Sequence, residues 1–344
     1  MSSVARRPTM KDVAGVAGVS LATVSRVVNG RNDVRADLAG RVRDAIEVLG
    51  YRRDLTASTL RRADRLSASI DLLFEDVSNP FFSAVQRGIE DVAHVHGTLT
   101  FAASSDEDPD RERELAEAFG GRGVDGLVIV PCGGDQSYLQ RERLSGTALV
   151  FVDRPPRFID ADAVLTDNAG GTRVGVEHLL SAGHRRIAFL GDRPAIHTAI
   201  ERLAGYRSAL AAAGVPADPA LERVGLLDSA VAAEAALELL SAPDPQTAIF
   251  AGQNLITVGV LRALRERGLQ HEIGLVGFDD VMLGDMIDPG ITVVMQDPYA
   301  LGRRAAELLF GQLGGAGGPT RRIELPTRLV TRGSGEIAPV EAAA

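Results

Sequence analysis

Near the start of the chain the apolar positions recur with helical spacing in three short bursts. In the first, TMKDVAGVA, Val13, Ala14 and Ala17 fall at i, i+1 and i+4 on one face, and Thr9 three residues before Asp12 matches a capping box. Gly18 ends it. Ser20 can cap a second helix in which Val24, Val27 and Val28 point inward while Leu21, Ala22, Ser25, Arg26 and Asn29 stay outside. A third run, from about Arg35 to Leu49, places Leu38, Val42, Ala45, Ile46 and Leu49 at core spacing and leaves Arg41 and Arg43 outside. Two short helices joined by a tight turn and closed by a third make a helix-turn-helix pattern.

Past Gly50 and Tyr51 the pattern thins. Leu55 to Arg62 has some helical tendency but too few apolar residues to bury, and so short a helix is marginal alone in water, which predicts disorder without a partner. From about residue 67 the period changes. Strand-like apolar runs at Ser69 to Phe74, Leu99 to Ala103, Gly126 to Val130, Ala148 to Val152, Ile187 to Leu190, Ala248 to Ala251 and Gly274 to Phe278 alternate with amphipathic helical stretches. Such alternation predicts parallel sheets covered on both faces, with ligands collecting at the carboxyl ends of the strands. The span to about 333 is long enough for two α/β lobes. Residues 1 to 8 and 334 to 344 are small, polar or proline-containing and are expected to lack fixed structure.

Charge sharpens the division. The chain of 344 residues has a formal net charge of −9, yet residues 1 to 65 hold an excess of Arg, and the acidic surplus lies beyond them. A basic module on an acidic protein attracts a phosphate backbone and predicts binding that weakens steeply with salt. Enzyme chemistry finds little support. Cys132 is the single cysteine, has no histidine partner in sequence, and fits a structural thiol in a reducing compartment. His94 and His96 fall on different helix faces, the glycine runs lack the lysine and serine of a phosphate loop, and no serine elbow occurs. No cofactor or metal is called for. No apolar run approaches the roughly 20 residues that span a bilayer, so a soluble cytoplasmic protein without membrane contact is expected.

The motif KDVAxxAGVSxxTVSRVVNG, the following GY pair and the segment LTASTL resemble the headpiece of the LacI/GalR family of transcriptional regulators. The resemblance continues through SNPFFSAVQRGIE, VDGLVIVP, FVDRPP, TDNAGGTRVGVEHLLSAGHRRIAFLGD, ERLAGYRSAL, GLVGFDD and ITVVMQDP, and so covers nearly the whole chain. It implies a small all-α helix-turn-helix headpiece (1–54), a hinge helix (55–66) and a two-lobed α/β domain like periplasmic binding proteins (67–333). Lobe 1 would comprise about 67–166 and 297–322, lobe 2 about 167–296 and 323–333.

The resemblance also assigns roles. Leu21, Ala22 and Arg26 match base-reading positions of the groove helix, where Arg26 can fork onto guanine O6 and N7 and the apolar pair can meet a thymine methyl. Ser20, Thr23, Ser25 and Asn29 suit phosphate contacts. Leu60 matches a leucine wedged into the minor groove and Ala57 the small residue where paired hinge helices touch, whereas Ser58 stands where relatives often have arginine. In the cleft between lobes the matching positions are Asn79, Phe81, Phe82, Asp153, Arg154, Arg202, Gln253, Asp279 and Gln296: ring faces for the C–H side of a ligand, with donors and acceptors around its rim. Bidentate arginines suit hydroxyl pairs, carboxylates or phosphates. Phe81 or Phe82 can equally be core, and Asp153 can pair with Arg154.

Two departures bear on the effector. Gln253-Asn254 replaces the common Asn-Asp, and Leu227 falls where sugar-binding relatives often place an aromatic. The expected partners are a palindromic double-stranded DNA operator with a CpG at its centre, a second copy of the chain, and a small-molecule effector of sugar-like character. A homodimer is expected because one recognition helix buries too little for specific binding and no leucine-heptad helix follows the final strand-like segment. A DNA-binding regulator with no small-molecule response is the alternative.

Overall fold

The computed structural model describes residues 8–31, 33–51 and 67–340, and the chain divides into two compact units between Ser67 and Ala68. The expected hinge positions Ala57, Ser58 and Leu60 lie outside the described residues.

In the first unit α1 (Met10–Ala17) opens with the capping box: Thr9 Oγ1 accepts from Asp12 N, and Asp12 Oδ2 accepts from Thr9 N at 2.7 Å. Gly18 stops the helix with φ +61°, and Arg41 donates to its carbonyl at 3.2 Å. A Cβ on Gly18 would sit 2.5 Å from the flexible end of that side chain, which can move aside, so it is the left-handed dihedral that calls for glycine. Ser20 caps α2 (Leu21–Val28) by accepting from Thr23 N at 3.1 Å. α3 (Ala36–Leu49) begins one residue later than expected, with Arg35 as its N-cap. Val13, Ala17, Val24, Val42 and Ala45 form the core, flanked by Met10, Val27, Val28, Ile46 and Leu49. Ala39 is buried, while the larger Leu38 stays half-exposed.

The second unit holds two six-stranded sheets. The first has strand order β11-β5-β4-β3-β1-β2, from β1 (Ser69–Phe74), β2 (Leu99–Ser104), β3 (Gly126–Ile129), β4 (Ala148–Val152), β5 (Asp162–Thr166) and β11 (Arg322–Leu325). The second has order β12-β10-β9-β8-β6-β7, from β6 (Ile187–Leu190), β7 (Glu222–Arg223), β8 (Ala248–Ala251), β9 (Gly274–Phe278), β10 (Thr292–Met295) and β12 (Arg328–Val330). Every pairing is parallel except β10 with β12. The seven strand-like runs read from the sequence coincide with strands to within a residue.

Helices cover both faces: α4 (Pro80–Val95), α5 (Pro109–Gly121), α6 (Gln140–Leu144) and α11 (Pro298–Leu313) with the first sheet, and α7 (Asn168–Ser181), α8 (His197–Ala212), α9 (Ser229–Leu240) and α10 (Asn254–Arg267) with the second. α4 and α11 meet through glycine. A Cβ on Gly302 would lie 1.9 Å from Val85 O and one on Gly88 2.2 Å from Tyr299 O.

The chain passes between lobes after β5, after β10 and after β11, and the last crossing corrects the expected boundary. Residues 323–325 belong to lobe 1, because β11 pairs with β5 and Ile323 and Leu325 pack on the lobe 1 core; the crossing falls at Pro326-Thr327. The expected loose tail is also corrected for its described part. Ser334 Oγ donates to Leu275 O at 2.7 Å, Glu336 accepts from Gly333 N at 2.7 Å and from Thr292 Oγ1 at 2.9 Å, and Ile337 O lies 2.7 Å from His184 Nε2. Small polar residues that read as solvated are here fastened by their side chains. Among the described residues no helix is long and apolar enough to cross a membrane.

Candidate functional site

On α2 the buried Val24 turns the opposite face outward. Leu21 is 50% exposed, and Ala22 and Arg26 beside it are exposed too. Ser20 and Thr23 share a hydroxyl contact at 2.9 Å, and Asn29 Nδ2 donates to Ser25 O at 2.7 Å and to Ser25 Oγ at 3.2 Å, which orders the last turn. Among the described residues Arg26 makes no ion pair. The helix thus offers one basic fork and two apolar side chains on a rigid rod, a combination suited to base edges in a major groove.

In the second unit, strand ends from both sheets converge. β1 delivers Glu75, the turn after β2 delivers Glu107, and β4 delivers Asp153 and Arg154. Arg154 is buried; its Nη2 donates to Glu75 Oε2 at 2.7 Å, its Nη1 to Glu107 Oε1 and to Pro131 O, and its Nε lies 3.5 Å from Asp153 Oδ2. Burial, with the Glu107 and Asp192 carboxylates, pushes the Glu75 carboxyl up to about 8 against the pull of Arg154.

From the other sheet, Arg202 at the start of α8 donates through Nε to Asn168 Oδ1 and through Nη1 to Gly252 O, both at 2.8 Å, and lies 3.9 Å from Asp279 Oδ2. Its guanidinium stacks 3.9 Å above the Phe278 ring. Asp279 accepts from Gln296 Nε2 at 2.6 Å. Burial raises the pKa of Asp279 and of Asp153, and Arg202 opposes it in both, so the charges of the two lobes act on one another. Asn254 Nδ2 donates across the cleft to Asn79 Oδ1 at 2.8 Å.

The sequence-expected residues therefore divide. Asp153, Arg154, Arg202, Asp279 and Gln296 form one network. Asn79 accepts from Phe81 N at 3.1 Å as the N-cap of α4, and Gln253 accepts from Leu255 N as the N-cap of α10 while donating to Asp192 Oδ2 at 2.9 Å. Phe82 is buried in the lobe 1 core, stacked on Phe74 at 5.7 Å, and Phe81 meets it edge-on at 5.1 Å. Leu227 is exposed. The picture of arginine forks open to a ligand changes, since both guanidiniums already hold protein acceptors. Sequence reasoning missed Glu75, Glu107, Asn168, Asp192 and Phe278, and it named Asn254 only as a departure from the family pattern. Their position right at strand ends was the available signal.

Other candidates are structural. Cys132 N donates to Glu112 Oε2, its thiol lies 3.3 Å from Ser105 Oγ, and burial pushes it up to about 12, so the thiolate is suppressed. His184 is fully buried between Thr247 and the tail. A groove of about 400 Å³ at the opposite edge of the first sheet is lined by Asp162, Gln312 and Arg321, but Asp162 already accepts from both others at 3.0 and 2.9 Å. Among the described residues no group of acids, histidines and cysteine has metal-binding geometry.

A helix-turn-helix unit followed by two hinged sheets with a polar cleft at their strand ends defines a bipartite DNA-binding regulator with a binding-protein-like domain. Residues 9–54 match the model of bacterial regulatory proteins of the lacI family, and residues 176–335 match that of a periplasmic binding protein-like domain. The chain belongs to the LacI family. It is 30% identical over 333 residues to catabolite control protein A of Priestia megaterium, covering 95% of this chain and 98% of that protein. Among solved structures it resembles the lac repressor dimer bound to operator and the anti-inducer ONPF, at 26% identity, TM-score 0.81, and coverage of 96% of this chain and 99% of that one. It also resembles a transcriptional regulator CelR-cellobiose complex, at 31% identity, TM-score 0.69, and coverage of 96% and 100%.

Proposed function

We propose that the protein is a cytoplasmic, non-enzymatic repressor that binds a palindromic operator as a homodimer and answers to a small polar effector in the interlobe cleft. The observation that carries the reading is the outward face of α2, with Leu21, Ala22 and Arg26 exposed on a helix locked by Val24. Arg26 reads a guanine, Leu21 and Ala22 meet thymine methyls, and Ser20, Thr23, Ser25 and Asn29 position the helix on phosphates. The hinge positions Ala57 and Leu60 complete the assignment, with Leu60 opening the minor groove at the centre of the site.

Dimerisation is supported by an apolar surface at the edge of the first sheet. β2 is its last strand, and Leu99 and Phe101 are 57% and 42% exposed there beside the exposed Val95. The cleft network of Asp153, Arg202, Asp279 and Gln296, with Asn79, Phe81, Arg154 and Gln253 around it, supports a polar effector. Its occupancy would bias the lobe arrangement and so the separation of the two hinges. The lac repressor complex with operator and anti-inducer and the CelR complex with cellobiose agree with this reading.

The test is selection of bound duplexes from a random pool by the purified protein. An enriched palindrome with two half-sites about one helical turn apart is the expected result. Enrichment of a single unpaired half-site would contradict the dimeric reader, and no enrichment at low salt would contradict the assignment of α2.

A further inference from the structure

The charges that face the cleft are acids. Within the Glu75–Arg154–Glu107 group, the Arg154 and Glu107 side chains are only 5% and 4% exposed, whereas Glu75 keeps 24% of its side chain open. From the other lobe Asp192, half-buried at the end of β6, lies near enough for its carboxylate to repel that of Glu75. Deeper in, Asp153 and Asp279 flank Arg202. Arg193, next to Asp192, makes no ion pair with any of these groups among the described residues. Glu75, Glu107, Asp153, Asp192 and Asp279 thus outnumber Arg154, Arg202 and Arg193; Arg154 gives both Nη groups and Arg202 its Nε and Nη1 to protein acceptors, while Arg154 Nε and Arg193 Nε have no hydrogen-bond partner among the described residues.

A second, independent observation concerns Gln296. It is 5% exposed, its amide nitrogen is committed to Asp279, and among the described residues no donor reaches its Oε1. A buried acceptor without a donor is costly, and it calls for a ligand that brings N–H or O–H groups.

Resting on the reading of the cleft as a small-molecule site, we propose that it selects a polyhydroxylated amine, an amino sugar or its like. The ammonium sits between Glu75 and Asp192, and the hydroxyls reach Asp153, Asp279 and Gln296. An ammonium there is held by Asp192 of one lobe and by the Glu75 carboxylate of the other that forms as it binds, and so favours their closed arrangement. A uronate or sugar phosphate would instead bring an anion against the more numerous carboxyls. Glu75, held protonated at neutral pH by burial and by its acidic neighbours, gives its proton to solvent as the ammonium arrives.

The full-length protein is titrated calorimetrically with glucosamine, glucose and glucuronate, and with the galactose counterparts of each. In at least one series the amine should bind about tenfold or more tighter than the neutral sugar, with no binding of the acid. Glu75→Gln, checked for folding by circular dichroism, and independently Asp192→Asn, should shrink the preference to about threefold or less. Below neutrality, where amine and Glu75 both carry protons, the heat should differ between buffers of unlike ionisation enthalpy. Equal or tighter binding of the neutral or acidic sugar overturns the charge selection and leaves the small-molecule reading intact. So does an undiminished amine preference in both variants. No binding by any of the six overturns both readings.

Discussion

Asp153 and Asp279 hold the same place in the two lobes. Each ends the fourth strand of its sheet in chain order, each has a left-handed backbone, with φ of 69° and 70°, and each donates its N–H at 2.9 Å to the adjoining strand, to Val164 O and Val294 O. A side chain other than glycine held there stores on the order of 1–3 kcal/mol. The bend aims both carboxyls into the cleft, where Arg202 lies between them.

That arrangement separates charge from backbone. Asp279→Asn tolerates the left-handed conformation and should leave thermal stability nearly unchanged while weakening effector binding. Asp279→Ala should cost about 1–3 kcal/mol of stability as well, since Gln296 and Arg202 lose an acceptor. Denaturant melts of both variants, beside titrations with ligand, check the split; equal stability of the two would refute it.

The headpiece offers a second separation. Val24→Ala removes two buried methyl groups and should destabilise the unit by about 2 kcal/mol, seen as lost helicity on warming. Leu21→Ala, at an exposed position, should leave the melt alone and weaken operator binding. Arg26→Ala should lose about 1–3 kcal/mol of specific affinity and relax preference at one base pair. Mobility shifts against operator and scrambled duplex distinguish these outcomes.

Asp71 predicts a pH slope. It is fully buried on β1, neither oxygen has a hydrogen bond among the described residues, and Arg122 comes no nearer than 3.8 Å. Burial raises its carboxyl from 3.8 to about 6. Between those values the folded state holds a proton that the unfolded state has lost, so stability falls as pH rises through the window and stays reduced above it. Asp71→Asn should flatten this slope and raise stability at neutral pH by about 1–2 kcal/mol; a variant less stable than wild type at neutral pH would contradict it.

Phe101 tests the edge of the first sheet. Phe101→Glu places a charge in an exposed apolar patch, and sedimentation should then report a monomer whose operator affinity falls by about 100-fold or more, because each half-site is bound alone. A dimer that persists would move the interface elsewhere.

How far the sequence could be read depended on how local each signal was. Continuous apolar runs such as Ala148–Val152 announce themselves, and Thr9, Ser20 and Gly18 carry helix limits within three residues. β5 begins with Asp162, whose carboxylate accepts from Arg321, 159 positions away, and β7 has only two residues; neither has a local pattern. The cleft behaved alike. Asp153, Arg202 and Asp279 were legible from family position. Glu75 and Glu107 look like ordinary solvated acids until folding brings Arg154 between them.

The three lobe crossings carry a consequence for biosynthesis. Neither sheet is built from one continuous stretch: α11 and β11, which complete the first, follow every strand of the second except β12. On the ribosome the first lobe therefore waits, with the face that α11 will cover still open to water, while more than a hundred further residues are made. Its final closure is a late, long-range docking of a single helix, and in that interval the nascent chain is most open to chaperones and to misassembly with its neighbours.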